Sequence, residues 1–138
     1  MQHRCRLGSS MIVAGFALLG PYPVTAQEEK PYSVVDGKVD KATFNGYRRY
    51  TDSCMRCHGP DGSGSSYGPD LTDSLRKMSY DDFAEVVING RQNVTSSQQN
   101  VMPPFGQVED VALYLDDIYA YLKARSDGVL GRGRPQRQ

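Results

Sequence analysis

The chain has 138 residues, and its sixteen lysines and arginines balance sixteen aspartates and glutamates, so the formal net charge is zero. This length predicts a single domain, and the balanced charge gives no indication of nucleic-acid binding. Hydrophobic residues make up only 38% of the chain, and many of them lie within residues 1–26. The domain is therefore expected to need an additional component to complete its core.

Residues 1–26 have the features of an export signal. Basic residues precede an apolar run from Met11 to Leu19, and the segment ends in Val24-Thr25-Ala26, with small residues at the positions that a signal peptidase inspects. An uncleaved membrane anchor is the alternative, but crossing a bilayer takes about 20 apolar residues and this run is half as long. We expect cleavage after Ala26, export of the protein, and no stable membrane insertion afterwards.

Removal of this signal changes the charge balance. It takes away two arginines, which leaves fourteen basic and sixteen acidic side chains, and residues 27–126 alone contain eleven basic and fifteen acidic side chains. The folded body is therefore expected to be modestly acidic, which favours charge steering towards a basic partner.

An extended arm and a first helix are predicted next. Residues 27–40 are polar, with a proline and a glycine that disfavour a helix. Asp40 is a candidate N-cap for an amphipathic helix that ends near Ser53. Gly46 lies on the packing face, where a missing side chain lets another helix approach closely. The helix face is defined by spacings of i, i+3, i+4 and i+7 at Thr43, Gly46, Tyr47 and Tyr50.

A cysteine motif follows this helix. Cys5 leaves with the signal, so the mature chain keeps only Cys54 and Cys57, at a C-x-x-C spacing. In an oxidising compartment such a pair is ordinarily a disulfide or a redox-active dithiol. His58 follows directly, however, and C-x-x-C-H is the attachment motif of a c-type haem. The motif predicts one haem c, tethered by Cys54 and Cys57, with His58 as the proximal iron ligand.

Between this motif and the last helix, loops are predicted to surround one short helix. Glycines, prolines and serines in Gly59 to Pro69 predict a loop. Ser79 with Asp82 three residues later matches a capping box, and Asn89-Gly90 ends the helix that it starts. Residues 91–100 are polar and glutamine-rich, which predicts a surface loop.

The last helix carries the strongest periodic signal. Its acidic first turn at Glu109 and Asp110 and its basic last turn at Lys123 and Arg125 both favour the helix dipole. Residues 126–138 have three glycines, a proline and three arginines, so they are predicted to be a flexible basic tail. The apolar face of the helix comprises Val108, Ala112, Leu115, Ile118, Tyr119 and Leu122.

Three helices over about 85 residues make a thin core, which a haem would fill with its own apolar surface. The propionates of that haem would need charged or donor partners. Arg91 and Asn100 are the candidates for this role.

The second axial ligand can be narrowed by elimination. His58 is the only histidine left in the mature chain, so ligation by two histidines within one chain is excluded. Met55 lies inside the attachment motif on the proximal side and cannot reach across the ring. Of the remaining sulfur donors, Met102 is followed by Pro103-Pro104, which stiffens the segment that presents it. We predict that Met102 is the ligand and that Met78 fills the core.

The order of motifs along residues 41–125 resembles that of class I cytochromes c. The resemblance implies an all-α fold, a small helical bundle wrapped around one covalently attached haem, with the first and last helices crossing near Gly46 and Tyr121. It also implies that the carbonyl of Pro69 accepts a hydrogen bond from His58 and supports that ligand. The matching motifs are Gly46-x-x-x-Tyr50, Cys54-Met-Arg-Cys57-His58-Gly59, Gly68-Pro69-Asp70-Leu71, Val101-Met102-Pro103-Pro104-Phe105 and Ile118-Tyr-Ala-Tyr121-Leu122-Lys123.

A narrower resemblance involves the two ends of the mature chain. The arm from Pro31-Tyr32 to Asp40 and the ending from Tyr121 to Pro135 are similar to those of periplasmic cytochromes c associated with methanol metabolism. This resemblance implies a periplasmic carrier that accepts electrons from a quinoprotein alcohol (methanol) dehydrogenase. The expected acceptor is a terminal oxidase or another cytochrome.

Three classes of function remain to be compared. An electron carrier, which is not an enzyme, is favoured because histidine and methionine together close both axial positions of the iron. A haem enzyme or gas-binding sensor would need an open distal site and an acid-base residue there. A structural protein, in which the haem only completes the core, stays open on sequence alone.

Overall fold

The structure is a computed structural model that describes residues 29–94 and 99–138. The predicted export signal and its cleavage site lie outside the described residues. Within them, no helix combines the length and apolar character needed to span a bilayer.

Helix α1, Lys41–Ser53, confirms the first predicted helix. The carboxylate of Asp40 caps it by accepting a hydrogen bond from the backbone N–H of Thr43 at 2.9 Å. Thr43, Gly46 and Tyr50 on its predicted face are buried, and Tyr47 is half-buried.

Helix α6, Leu115–Ser126, crosses α1 at Gly46. A Cβ atom placed on Gly46 would lie 1.8 Å from the carbonyl oxygen of Asp117, so only glycine allows the two backbones to approach this closely. The ring of Tyr121, one turn later, packs 5.5 Å from the ring centres of Tyr47 and Tyr50. The implied crossing is therefore present, with its closest backbone approach one turn before Tyr121.

Four shorter helices surround this pair. The helix predicted to begin at Ser79 is present as α4, Tyr80–Asn89, and Ser79 and Asp82 form its capping box. The segment predicted as a loop contains one 3-10 turn, Pro60–Gly62. Three of the four short helices have four residues each, too few to show a periodic pattern of their own in the sequence. The four are α2, Met55–His58; α3, Leu71–Ser74; α4, Tyr80–Asn89; and α5, Glu109–Ala112.

The prediction of one continuous last helix is wrong, because the chain breaks at Tyr114 into α5 and α6. Tyr114 has φ −119° and ψ 27°, which is not helical. The break rotates the buried face, so that Val111 is buried while Val108 is 41% exposed. Arg49 stabilises the junction by stacking 4.4 Å from the Tyr114 ring centre and pairing with Asp110 at 2.9 Å.

The prediction of a surface loop over residues 91–100 is also wrong in part. Strands β3, Arg91–Val94, and β4, Gln99–Met102, form an antiparallel hairpin in which Arg91 lies opposite Met102. Residues 95–98 lie outside the described residues. The polar composition concealed the strands because the hairpin is held by backbone hydrogen bonds, to which side chains contribute little.

The arm forms a hairpin of β1, Val34–Val35, and β2, Lys38–Val39. Strand β5, Gln136–Arg137, adds to it in parallel with β2. The tail predicted to be flexible is thus ordered, because Leu130 is only 6% exposed and the N–H of Gly133 donates to Asp61 Oδ1 at 3.0 Å. A few buried residues and backbone hydrogen bonds order the tail despite its unfavourable composition.

Candidate haem-binding site

An apolar cleft opens beside α2. It is lined by the end of α1 with α2, the segment around Gly68, α3 with the connection that follows it, α4 with the start of β3, the end of β4 with the segment after it, and helix α6. The apolar residues that line it are Leu71, Met78, Phe83, Val86, Val87, Val101, Met102, Pro103, Phe105, Ile118 and Leu122. Such walls exclude water from whatever the cleft holds.

The geometry of α2 brings the attachment motif to this cleft. The N–H groups of Cys57 and His58 donate to the carbonyl of Cys54 at 3.1 and 3.0 Å, which makes a single helical turn. Cys54, Cys57 and His58 all line the cleft as a result. The sequence prediction grouped these three residues, and the structure brings them together.

The two thiols are not joined in a disulfide. Burial, with a smaller contribution from the neighbouring Cys57, raises the pKa of the Cys54 thiol to about 11. Redox-active dithiols instead lower the pKa of the attacking thiol. This environment therefore does not favour a redox-active dithiol at this position.

The imidazole of His58 is held in place by a hydrogen bond at Nδ1. It is 7% exposed, and its Nδ1 lies 3.0 Å from the carbonyl oxygen of Pro69. With the proton on Nδ1, this hydrogen bond leaves the Nε2 lone pair free for a metal. The contact that the resemblance implied between His58 and Pro69 is present.

Gly68 packs directly against the imidazole of His58, and this role could not be predicted from the sequence. A Cβ atom on Gly68 would lie 2.9 Å from both His58 Nδ1 and the carbonyl oxygen of Cys57. Only a glycine fits between the imidazole and the backbone behind it. A glycine directly before Pro69 was the one signal available, since glycine in a motif can mark a close approach.

Both candidate methionines reach the cleft, and they differ in how they are held. Met102 ends β4 and lies opposite Arg91 in the hairpin. A Cβ atom on Gly90 would lie 2.6 Å from the carbonyl oxygen of Met102, so this strand packs tightly against the end of α4. Met78 lies in the connection between α3 and α4. Met55 is 39% exposed and is not among the residues that line the cleft.

Of the two propionate candidates, Arg91 lines the cleft. The side chain of Asn100 lies outside the described residues. Two thiols, an imidazole with a free nitrogen and apolar walls form a donor set that fits a covalently tethered haem.

Comparisons with known proteins agree with this geometry. The family model described as "Cytochrome C oxidase, cbb3-type, subunit III" matches residues 42–122. Cytochrome c-553I of Paracoccus denitrificans is 50% identical over 115 residues, which cover 83% of this chain and 51% of that protein. The chain thus spans about half the length of this relative. Cytochrome c-555 of Methylococcus capsulatus is 45% identical over 96 residues, covering 69% of this chain and 72% of that protein.

A solved structure supports the fold as well. The crystal structure of the c-type cytochrome XoxG from Methylobacterium extorquens AM1 is 40% identical, with a TM-score of 0.67, and the match covers 81% of this chain and 75% of that one. The chain therefore belongs to the class I c-type cytochromes, electron carriers that bind haem c covalently.

Proposed function

We propose that this cytochrome is a periplasmic carrier in which Cys54 and Cys57 would tether one haem and His58 and Met102 would hold its iron. The observation that carries the proposal is that all four side chains line one apolar cleft. When bound, the haem supplies reversible one-electron chemistry at its iron.

The residues of the chain would each have a separate task. Cys54 and Cys57 tether the group, and His58 presents Nε2 because Pro69 fixes its Nδ1 at 3.0 Å. Met102 presents a thioether, a soft donor that favours reduced iron. The apolar walls keep water away, so the reduced and oxidised states need little rearrangement of solvent.

Met102 is favoured over Met78 by its backbone. It is fixed on one side by the β3–β4 ladder and on the other by Pro103-Pro104. A ligand on a pre-ordered segment loses less entropy when it binds the iron. Met78 lies outside any helix or strand, at the end of a turn in which the N–H groups of Lys77 and Met78 donate to the carbonyl of Ser74 at 3.2 Å.

A haem enzyme or gas sensor is the second candidate, and the composition of the cleft disfavours it. Among the described lining residues, His58 is the only histidine, and there is no aspartate or glutamate. The described lining therefore offers no second histidine and no carboxylate, which are the commonest acid-base groups, on the distal side.

The donor and acceptor follow from the resemblance of the arm and the C-terminal segment to cytochromes of methanol metabolism. We infer that the donor is a quinoprotein alcohol dehydrogenase and that the acceptor is a terminal oxidase or another cytochrome. The test is rapid mixing of the oxidised cytochrome with a substrate-reduced quinoprotein alcohol dehydrogenase.

The expected result is fast reduction that slows as salt is added, because the acidic body and a basic donor attract each other. Slow reduction that is indifferent to salt would contradict this donor. Reduction that is fast but indifferent to salt would contradict only the charge steering.

A further inference from the structure

The arm and the C-terminal tail, which electron transfer leaves without a role, meet in one sheet at the start of α1. Strand β2 pairs with β1 on one side and with β5 on the other, so that Lys38 lies beside Gln136 and Val39 beside Arg137. The N–H of Gln138 donates to the carbonyl of Val39 at 2.9 Å. The fold thereby holds the arm and the C-terminal tail together.

This sheet and α1 carry a group of cations that we call the basic patch. Lys41 and Arg48 lie on either side of Phe44 on one face of α1, at i, i+3 and i+7. The guanidinium of Arg134 lies 5.6 Å from the Phe44 ring centre. Phe44 also lines one shallow groove with the residues from Arg134 to Arg137. The patch comprises Lys38, Lys41, Arg48, Arg134 and Arg137, all of them exposed.

The patch is not neutralised within the described part of the chain. The ion pairs found there join Lys30 and Lys123 to Asp127, and Arg49 to Asp110, and none includes a patch residue. Asp40 accepts hydrogen bonds from the N–H groups of Thr43 and Ser33. Asp36, in the hairpin turn, and Asp52, four residues after Arg48 on α1, are exposed acids at the edges of the patch, and neither is in an ion pair with a patch residue.

The patch lies away from the haem cleft. Phe44 precedes Cys54 by ten residues of α1, which is about 15 Å along the helix axis. No patch residue lines the cleft. A partner bound at the patch would therefore leave the cleft free, which suits an anchoring contact better than an electron-transfer contact.

We propose that the basic patch binds the surface of an anionic phospholipid bilayer and so holds the carrier at a membrane with its cleft accessible. Guanidinium groups pair with phosphate oxygens in bidentate geometry, and clusters of four to eight cations are typical of binding to anionic lipid. Protein interfaces instead centre on exposed aromatic or apolar anchors. Here the central aromatic, Phe44, is half-buried and covered by Arg134.

The test is co-sedimentation of the mature holoprotein with vesicles at low salt. Binding is expected to vesicles that contain phosphatidylglycerol and not to pure phosphatidylcholine vesicles. Each patch cation contributes about fivefold to binding, so Arg134→Gln/Arg137→Gln should bind about 30-fold more weakly. Lys38→Gln/Lys41→Gln, which alters the arm and the helix instead of the tail, should have the same effect.

The matched control removes two cations elsewhere. Arg76→Gln/Lys77→Gln loses the same charge at exposed positions outside the patch and should bind as the native protein does. Equal loss in this control would show that only net charge matters and would overturn the proposal. So would absence of binding to phosphatidylglycerol vesicles.

A second probe separates lipid from protein partners. If the native protein does not bind the vesicles but binds polyglutamate, and Arg134→Gln/Arg137→Gln weakens that binding, the patch recognises an acidic protein and the lipid proposal is wrong. Met102→Ala should bind vesicles normally. A failure of this inference can therefore be distinguished from a failure of the proposed axial ligation.

Discussion

At the scale of single residues, the two methionines of the cleft have separable roles. Met102→Ala should keep the thioether bonds and His58 ligation but open the sixth position of the iron, so that the ferrous protein binds carbon monoxide rapidly. The reduction potential should fall, because the thioether that favours reduced iron is gone. Optical spectra of both oxidation states, with a potential titration, measure these changes.

Met78→Ala is the matched control, since it removes the other methionine of the same cleft. It should lose about 2–5 kcal/mol of stability as a core truncation and keep a six-coordinate iron. If Met102→Ala stays six-coordinate and low-spin at an unchanged potential, the ligand lies elsewhere.

Gly68 allows a second test at the residue scale. Gly68→Ala places a methyl group 2.9 Å from the His58 ring and the Cys57 carbonyl. The crowding should cost about 1–3 kcal/mol of stability and disturb the hydrogen bond from His58 to Pro69. Thermal unfolding and the ferric spectrum measure the two effects. In Gly131→Ala the added methyl group has nothing within 4 Å, so this control should behave as the native protein does.

The attachment residues could be predicted because the C-x-x-C-H motif is local in the sequence. A single helical turn, α2, places Cys54, Cys57 and His58 side by side at the cleft, and this requires no contact with distant residues. Gly68 was not predictable as a site residue, because its requirement for glycine comes from the position of His58, ten residues earlier. A requirement set by a tertiary contact leaves no periodic pattern in the sequence.

At the scale of elements, helices with clear caps and long apolar faces were predicted and strands were not. Asp40 caps α1 and Ser79 caps α4, as predicted from the sequence. Strands β1, β2 and β5 have two residues each, so they show no alternation, and β5 forms only because β2 offers it a free edge. The break at Tyr114 is packed against Arg49 from another helix, a contact that leaves no local signal in the sequence.

Asp127 connects the arm to the end of α6, and its charge can be tested. Its carboxylate accepts hydrogen bonds from Tyr32 at 2.7 Å and from Lys30 and Lys123 at 2.9 Å. Burial raises the pKa of this carboxyl, but the hydrogen bonds from Tyr32, Lys123 and Lys30 outweigh it and hold the pKa well below its ordinary value. The stabilisation is therefore present above about pH 3.9 and is lost as the pH falls further.

Asp127→Asn should lower the free energy of unfolding by about 1–2 kcal/mol at neutral pH, with the difference disappearing in acid. Denaturant unfolding at several pH values measures it. Asp36→Asn, at an exposed turn position with φ +50°, should leave the free energy of unfolding unchanged at every pH. A pH-independent loss in Asp127→Asn would show that the charge is not what holds the arm.

At the scale of the whole molecule, export and haem attachment fix the mass of the mature protein. The predicted product starts at Gln27, lacks Cys5 and carries one haem. Intact-mass spectrometry of the protein purified from its native compartment checks both statements. A product that retains Cys5, or that lacks the mass of one haem, would contradict the export prediction or the attachment prediction respectively.

If His58 and Met102 both hold the haem iron, the molecule should carry electrons and should not bind small ligands. The most direct measurement is the rate at which the reduced native protein binds carbon monoxide, recorded together with its ferric spectrum. Slow binding is expected, with a six-coordinate, low-spin iron that has histidine and thioether ligands. Rapid binding by the native protein would contradict this expectation and would favour a haem enzyme or gas sensor.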